Sequence, residues 1–162
     1  MTQKFTQKWT LVAFIEPVPD GTEFFWKDWP PHITLADVFA AEASGAELYD
    51  KLATELKPRG PLELVAENDA YFGEHGEHHV MLLEKTPEIL ALHMRVLDIL
   101  SDFEAVFNVP EYVGRGYIPH VSMQRGELLK PGESVKITSV SVVDMFPNDD
   151  GYRRRVVRSI LF

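Results

Sequence analysis

Two short stretches of the chain carry residue types suited to moving protons at a phosphate. Pro31-His32-Ile33-Thr34-Leu35 and Pro119-His120-Val121-Ser122-Met123 share one pattern: proline, histidine, an apolar residue, a hydroxyl, an apolar residue. A free imidazole titrates at about pH 6.5, so it can both take and give a proton near neutrality. A hydroxyl two positions on can hold an oxygen atom. One copy alone reads as ordinary strand chemistry, because short patterns recur by chance. Two copies, one in each half of the chain, point to a shared site. Together they supply two groups for general acid–base work and two to hold phosphate oxygens.

Such a site needs elements that turn the right side chains the same way. Each copy reads as a β-strand with proline at its entrance, where a missing N–H costs least. Alternate residues of a strand share a face. His32 and Thr34 therefore face one way, with Ile33 and Leu35 in a core. His120 and Ser122 face one way, opposite Val121 and Met123.

The rest of the chain is read around these two strands. Trp9 to Ile15 is a β-rich apolar run, ended by Glu16-Pro17 and expected as a central strand. Residues 17–31 are proline-rich and read as loop. Trp26 and Trp29 in that loop are candidates to stack on a base or to pack over the core edge. The first motif strand runs from about His32 to Phe39.

A helix is expected from about Ala43 to Lys57, capped by Ser44, with Leu48, Tyr49, Leu52, Ala53 and Leu56 on its apolar face. Strands follow near Leu62–Ala66, extending toward Phe72, and from His79 to Glu84, with a turn at Gly73–Gly76. A second helix is capped by Thr86 with Pro87 at its first position. Ile89, Val96, Leu97, Leu100 and Phe103 form its buried stripe, and His93 on that stripe reads as a packing residue.

Residues 104–117 read as loop, and the second motif strand spans Tyr117 to Gln124. Two last strands, Val135–Phe146 and Tyr152–Phe162, are joined by a turn at Asn148-Asp149-Asp150-Gly151. This order is α+β. It implies a bilobal, pseudo-symmetric fold with two antiparallel sheets around a central cleft and helices outside. The whole chain, 1–162, is expected to be one domain of two intertwined lobes.

Composition narrows the function. The chain has 45% apolar and 25% charged residues, ordinary for a globular protein. Residues 1–10 lack the apolar stretch of a signal peptide, and no run approaches a membrane span. A cytoplasmic protein without a membrane partner is expected. Cysteine is absent, which excludes thiolate chemistry and disulfides. The net charge of −9 argues against binding long duplex nucleic acid, which depends on lysine and arginine. It leaves room for a small anionic ligand in a local pocket. Arg153, Arg154, Arg155 and Arg158 cluster near the C-terminus and read as a solvated strand face. Glu74-His75-Gly76-Glu77-His78-His79 has metal-binding residue types, but no helical spacing fixes a ligand geometry. No metal and no cofactor are expected.

The paired motifs, the first strand ending in Ile15-Glu16-Pro17 and the strand–helix order resemble the two-histidine phosphoesterase superfamily. Its best-known branch is the RNA 2′,3′-cyclic phosphodiesterases, also called 2′-5′ RNA ligases. The resemblance covers nearly the whole chain, most clearly Trp9 to Arg125. It implies that His32 and His120 are catalytic and that Thr34 and Ser122 contact phosphate. It also implies a phosphate-binding Arg125, five positions after the second histidine. Strict alternation turns Arg125 away from His120, so it needs a strand end or a bulge to help.

Two features depart from the family. Residues 17–31 leave no room for the long helix usual there, and Ala36-Asp37 stand where the RNA branch has an apolar or aromatic residue. The superfamily also contains enzymes for ADP-ribose cyclic phosphate, 2′-5′ oligoadenylates, RNA 3′ ends and cyclic signalling nucleotides. The implied activity is metal-independent hydrolysis of a 2′,3′-cyclic phosphate or a related phosphodiester. The substrate would be a small nucleotide or an RNA end. The alternative is a non-catalytic RNA- or nucleotide-binding module that keeps the cleft. The sequence leaves open the oligomeric state and which histidine is acid or base.

Overall fold

The computed structural model describes residues 7–56, 60–123 and 129–162. In chain order the elements are β1 (Lys8–Phe14), β2 (Glu23–Phe25), β3 (His32–Ala40), α1 (Gly45–Glu55), β4 (Leu62–Phe72) and β5 (His78–Leu83). There follow α2 (Pro87–Ser101), β6 (Val106–Phe107), β7 (His120–Ser122), β8 (Ser134–Ile137), β9 (Ser139–Asp144) and β10 (Arg153–Leu161). The α+β reading holds.

Both helices begin where local chemistry says they should. The Ser44 hydroxyl accepts from the Glu47 amide at 3.2 Å, and the Glu47 carboxylate accepts from the Ser44 amide at 3.0 Å. This reciprocal pair satisfies two amides that a helix start leaves bare. Thr86 accepts from the Ile89 amide at 3.2 Å, with Pro87 in the first turn. The start of α1 lies hard against the sheet. A Cβ on Gly45 would stand 3.1 Å from Val157 and 3.2 Å from the Trp9 ring.

All ladders among the described residues are antiparallel, and the strand order is β2-β10-β9-β1-β3-β7-β5-β4-β8, with β6 pairing the far end of β3. The strands form two groups, one on each motif strand. They join where β3 meets β7 through one pair, Ile33 with Val121. The main core lies on one face of this sheet, under both helices. It includes Ile33, Leu35, Val121 and Met123 of the motifs, with Leu48 and Leu52 of α1 and Ile89, Leu92 and Val96 of α2. A smaller cluster of Val12, Phe14, Phe24, Val143, Met145 and Val156 covers part of the opposite face, with Trp29 packed on it. None of the described helices is long and apolar enough to cross a membrane.

Three sequence expectations change. The run from Val135 to Phe146 is not one strand. It breaks at Thr138, so that β8 pairs with β4 in one group while β9 pairs with β1 and β10 in the other. The loop 17–31 contains β2, an edge strand paired with β10. The stretch 104–117 contains β6 and two short 3-10 turns, Pro110–Tyr112 and Gly114–Gly116.

Candidate active site

The two histidines are held in matching local frames. His32 Nδ1 donates to the Pro30 carbonyl at 2.8 Å, and His120 Nδ1 donates to the Ile118 carbonyl at 2.7 Å. A carbonyl only accepts, so each contact fixes the proton on Nδ1 and leaves Nε2 for the groove. The prolines are used alike as well. Pro31 accepts from the Ile15 amide and Pro119 from the Leu83 amide, each at 3.0 Å. Proline at each strand entrance thus forgoes a donor while its carbonyl ties the motif to the next strand.

Register brings the four motif side chains together. Extending the Ile33–Val121 pair by one residue each way sets His32 opposite Ser122 and Thr34 opposite His120. Residues directly opposite on one face of an antiparallel pair are neighbours, and diagonal ones are about 7–8 Å apart. The histidines stand on that diagonal, a separation that a phosphate can bridge. The Thr34 and Ser122 hydroxyls are half-buried. Arg125 lies outside the described residues.

The surroundings of the two rings differ. Phe14 lies edge-on to His32 at 6.0 Å between centroids, and Trp29 stands 4.7 Å away. Trp29 in turn packs edge-on against Phe24 at 4.9 Å, so it is a wall of the site tied into the smaller core. Trp26 remains exposed, with the Lys27 ammonium 5.0 Å from its ring centre. Burial pushes the His32 pKa down to about 4; its bond to Pro30 opposes this and the charge of His120 adds to it. Among the described residues one aromatic ring, Phe72, meets His120, edge-on at 5.0 Å. Burial lowers its pKa too, while the bond to Ile118 and the charge of Asp37 act upward. His32 thus lies in the field of His120, and His120 in that of Asp37.

Asp37 was singled out in the sequence only as a departure from a family pattern. Strict alternation would send it into the core behind Ile33 and Leu35. Two register shifts against β1 redirect it: Val12 pairs Thr34, Leu11 pairs Ala36, and Trp9 pairs Phe39. The first extra residue puts both Leu35 and Ala36 in the main core. The second leaves Asp37 and Val38 together on the groove side, with Val38 packed on the smaller cluster, before Phe39 returns to the core. Bulges of this kind re-aim side chains beside sites. The available signal was the acid itself, since an unpaired carboxylate inside an apolar strand has to escape the core.

A buried tie supports the thin seam. His93 of α2 donates from Nδ1 to the Leu35 carbonyl at 2.7 Å and accepts the Gly114 amide at Nε2, 2.9 Å. Its ring stacks on Tyr117 at 3.8 Å, and the Tyr117 hydroxyl donates to the Thr34 carbonyl at 2.8 Å. His93 therefore packs as expected, and it also links both motif strands.

Two other clusters are engaged elsewhere in the fold. His79 pairs with Asp69 at 3.0 Å, whereas His78, its strand neighbour on the opposite face, lies 3.8 Å from Glu77. Among the described residues no three His, Asp or Glu side chains converge on a metal position. The C-terminal arginines are tied into the fold. Arg153 pairs with Glu23 and Arg155 with Asp144, Arg154 donates to backbone carbonyls, and Arg158 lies over the Tyr49 ring.

Comparison with known proteins places this site in context. A family model described as the 2′-5′ RNA ligase superfamily matches residues 20–138. No curated protein matches the chain at the sequence level. Escherichia coli LigT complexed with NADP+ superposes with a TM-score of 0.59 at 11% identity, covering 96% of this chain and 97% of LigT. The same protein complexed with 3′-AMP gives a TM-score of 0.59 at 11% identity over 96% and 98% of the two chains. The Thermus thermophilus protein TT0787 gives 0.55 at 14% identity over 95% and 97%.

Proposed function

The chain belongs to the 2′-5′ RNA ligase superfamily, the two-histidine phosphoesterases, and on that premise we propose that it is a metal-independent phosphodiesterase acting on a 2′,3′-cyclic phosphate or a related phosphodiester of a small nucleotide or RNA end. The observation that carries this is the pair of imidazoles in matching frames. Each has its Nδ1 proton on a carbonyl two residues back, which leaves Nε2 free to exchange protons in the groove.

In hydrolysis, one Nε2 takes a proton from water as its oxygen attacks phosphorus. The other, protonated, gives a proton to the ribose oxygen as its bond to phosphorus breaks. Thr34 and Ser122 hold the non-bridging oxygens, and Arg125 adds positive charge as the transition state gathers negative charge. Small nucleotides in the LigT crystals favour a substrate of nucleotide size. A cysteine-free, acidic chain fits a cytoplasmic enzyme that does not engage long duplexes.

The test is turnover of nucleoside 2′,3′-cyclic phosphates, 2′-5′ dinucleotides, ADP-ribose cyclic phosphate and cyclic dinucleotides. It is run with wild type, His32→Ala and His120→Ala. Each variant is expected to fold and to lose roughly a hundredfold or more in turnover. Binding of these compounds without turnover by the wild type would instead identify a nucleotide-binding module. Near-wild-type turnover in either variant would remove the two-histidine scheme.

A further inference from the structure

We propose that Asp37 sets the polarity of the histidine pair, making His120 the proton-bearing partner and general acid and leaving His32 as the proton acceptor. This deepens the reading above and rests on it.

The geometry begins with the bulges. They leave Asp37 as the next groove-side residue of β3 after Thr34, and Thr34 is the residue opposite His120. Asp37 is half-buried and makes no ion pair among the described residues, so its carboxylate is not used to hold the fold. Its charge acts on His120. The charge that acts on His32 is that of His120 itself.

The other groups facing His120 are accounted for. From β5, Leu82 is its cross-strand partner and Val80 lies beyond, both apolar; exposed His78 stands at one end of that face and exposed Glu84 just past the other, and neither is among the charges that act on His120. From β4, Phe72 meets its ring. From β3, His32 is the only other titratable group besides Asp37 on this part of the face. The carboxylate therefore favours a proton on His120, and that charge makes a second proton on His32 unfavourable. The ring enclosed by Phe14 and Trp29 stays neutral, ready to accept from water. The more open ring is the readier of the two to carry the proton that the leaving oxygen needs. Asp37 is a positioning residue in this scheme: it acts through His120 and does not touch the reacting atoms.

Two measurements decide it. The first is ring NMR titration of His32 and His120 in the free wild type, Asp37→Asn and Asp37→Glu, which requires no substrate. His120 is expected to titrate above His32 in the wild type, to move to lower pH in Asp37→Asn, and to be largely restored in Asp37→Glu. An unmoved His120 midpoint in Asp37→Asn, or a larger shift in His32, overturns the proposal even if the protein proves to be only a binding module.

The second is the pH profile of kcat/KM on whichever cyclic phosphate the wild type turns over. The acid is active below its pKa, so Asp37→Asn is expected to shift the alkaline limb to lower pH and leave the acid limb in place. Efficiency at pH 7 would fall by roughly threefold or more, since a limb displaced by one unit changes the rate tenfold. A rise in KM with unmoved limbs would make Asp37 a substrate contact, and a displaced acid limb would reverse the assignment. Either result overturns the proposal. A wild type inactive on every substrate would count against the phosphodiesterase reading, while the NMR titration would still decide the role of Asp37.

Discussion

His93→Phe isolates the polar tie that crosses the seam. The ring is 1% exposed and stacks on Tyr117 at an interplanar angle of 7°. Phenylalanine keeps the ring and the stack but removes both nitrogens. The Leu35 carbonyl then loses its donor and the Gly114 amide its acceptor. A buried group left unpaired costs about 1–3 kcal/mol. Gly114 is only half-buried and can recruit water, so its share belongs at the lower end. The two losses together come to about 2–4 kcal/mol, a sizeable fraction of a domain's typical stability of about 5–15 kcal/mol. Equilibrium unfolding in urea measures the cost as a lower midpoint at unchanged slope. Because the tie reaches the carbonyl beside Thr34 and the turn before His120, kcat is expected to fall as well. A variant within about 0.5 kcal/mol of wild type would refute the reasoning, because surface-like substitutions already fall in that range.

Other outcomes follow from the same geometry. Burial depresses the pKa of His32, to about 4, and lowers those of His93 and His120. Their contribution to stability is therefore complete above the unfolded value of about 6.5 and is lost as pH falls through the folded values. The urea midpoint is expected to hold from pH 8 to 7 and to drop toward pH 4.5, less steeply in His93→Phe; a flat midpoint from pH 7 to 5 would contradict this. Treatment with EDTA is expected to leave turnover unchanged, since His78 and His79 point to opposite faces of β5 and no three His, Asp or Glu side chains converge among the described residues. Loss of activity restored by a divalent ion would show that the groove itself holds a metal.

What could be read from the sequence was local. Ser44 with Glu47, and Thr86 with Pro87, announce the two helix starts because capping is decided within four residues. The motif strands were legible for the same reason: Pro, His, apolar and hydroxyl alternate within one strand. Pairing across the two tight turns was legible, β4 with β5 and β9 with β10, but partners distant in sequence were not. Val135 to Asp144 is β-rich throughout, and nothing in its pattern says that residues before and after Thr138 join different strand groups. The edge strand β2 was hidden among prolines, since its order comes from β10. The bulges of β3 were hidden because they arise from the register of β1 against it. Arg125 falls outside the described residues, so its expected contact with phosphate rests on the family resemblance.

The two motifs also show how similar sequences acquire different chemistry. Their first neighbours are nearly interchangeable: a carbonyl two residues back on Nδ1, a proline carbonyl tied to the adjoining strand, an apolar residue in the core. If only those neighbours mattered, the two imidazoles would have equal affinity for a proton. A symmetric pair serves acid–base catalysis poorly, because one ring must be neutral while the other is charged. The difference comes from residues distant in sequence. The loop that carries Trp29 folds over the smaller core and encloses His32. Two extra residues in β3 turn a carboxylate out of the core and toward His120. In the proposed scheme the repeated motif supplies the groups, and the unequal loop and the bulged strand make one ring the readier acceptor and the other the readier donor.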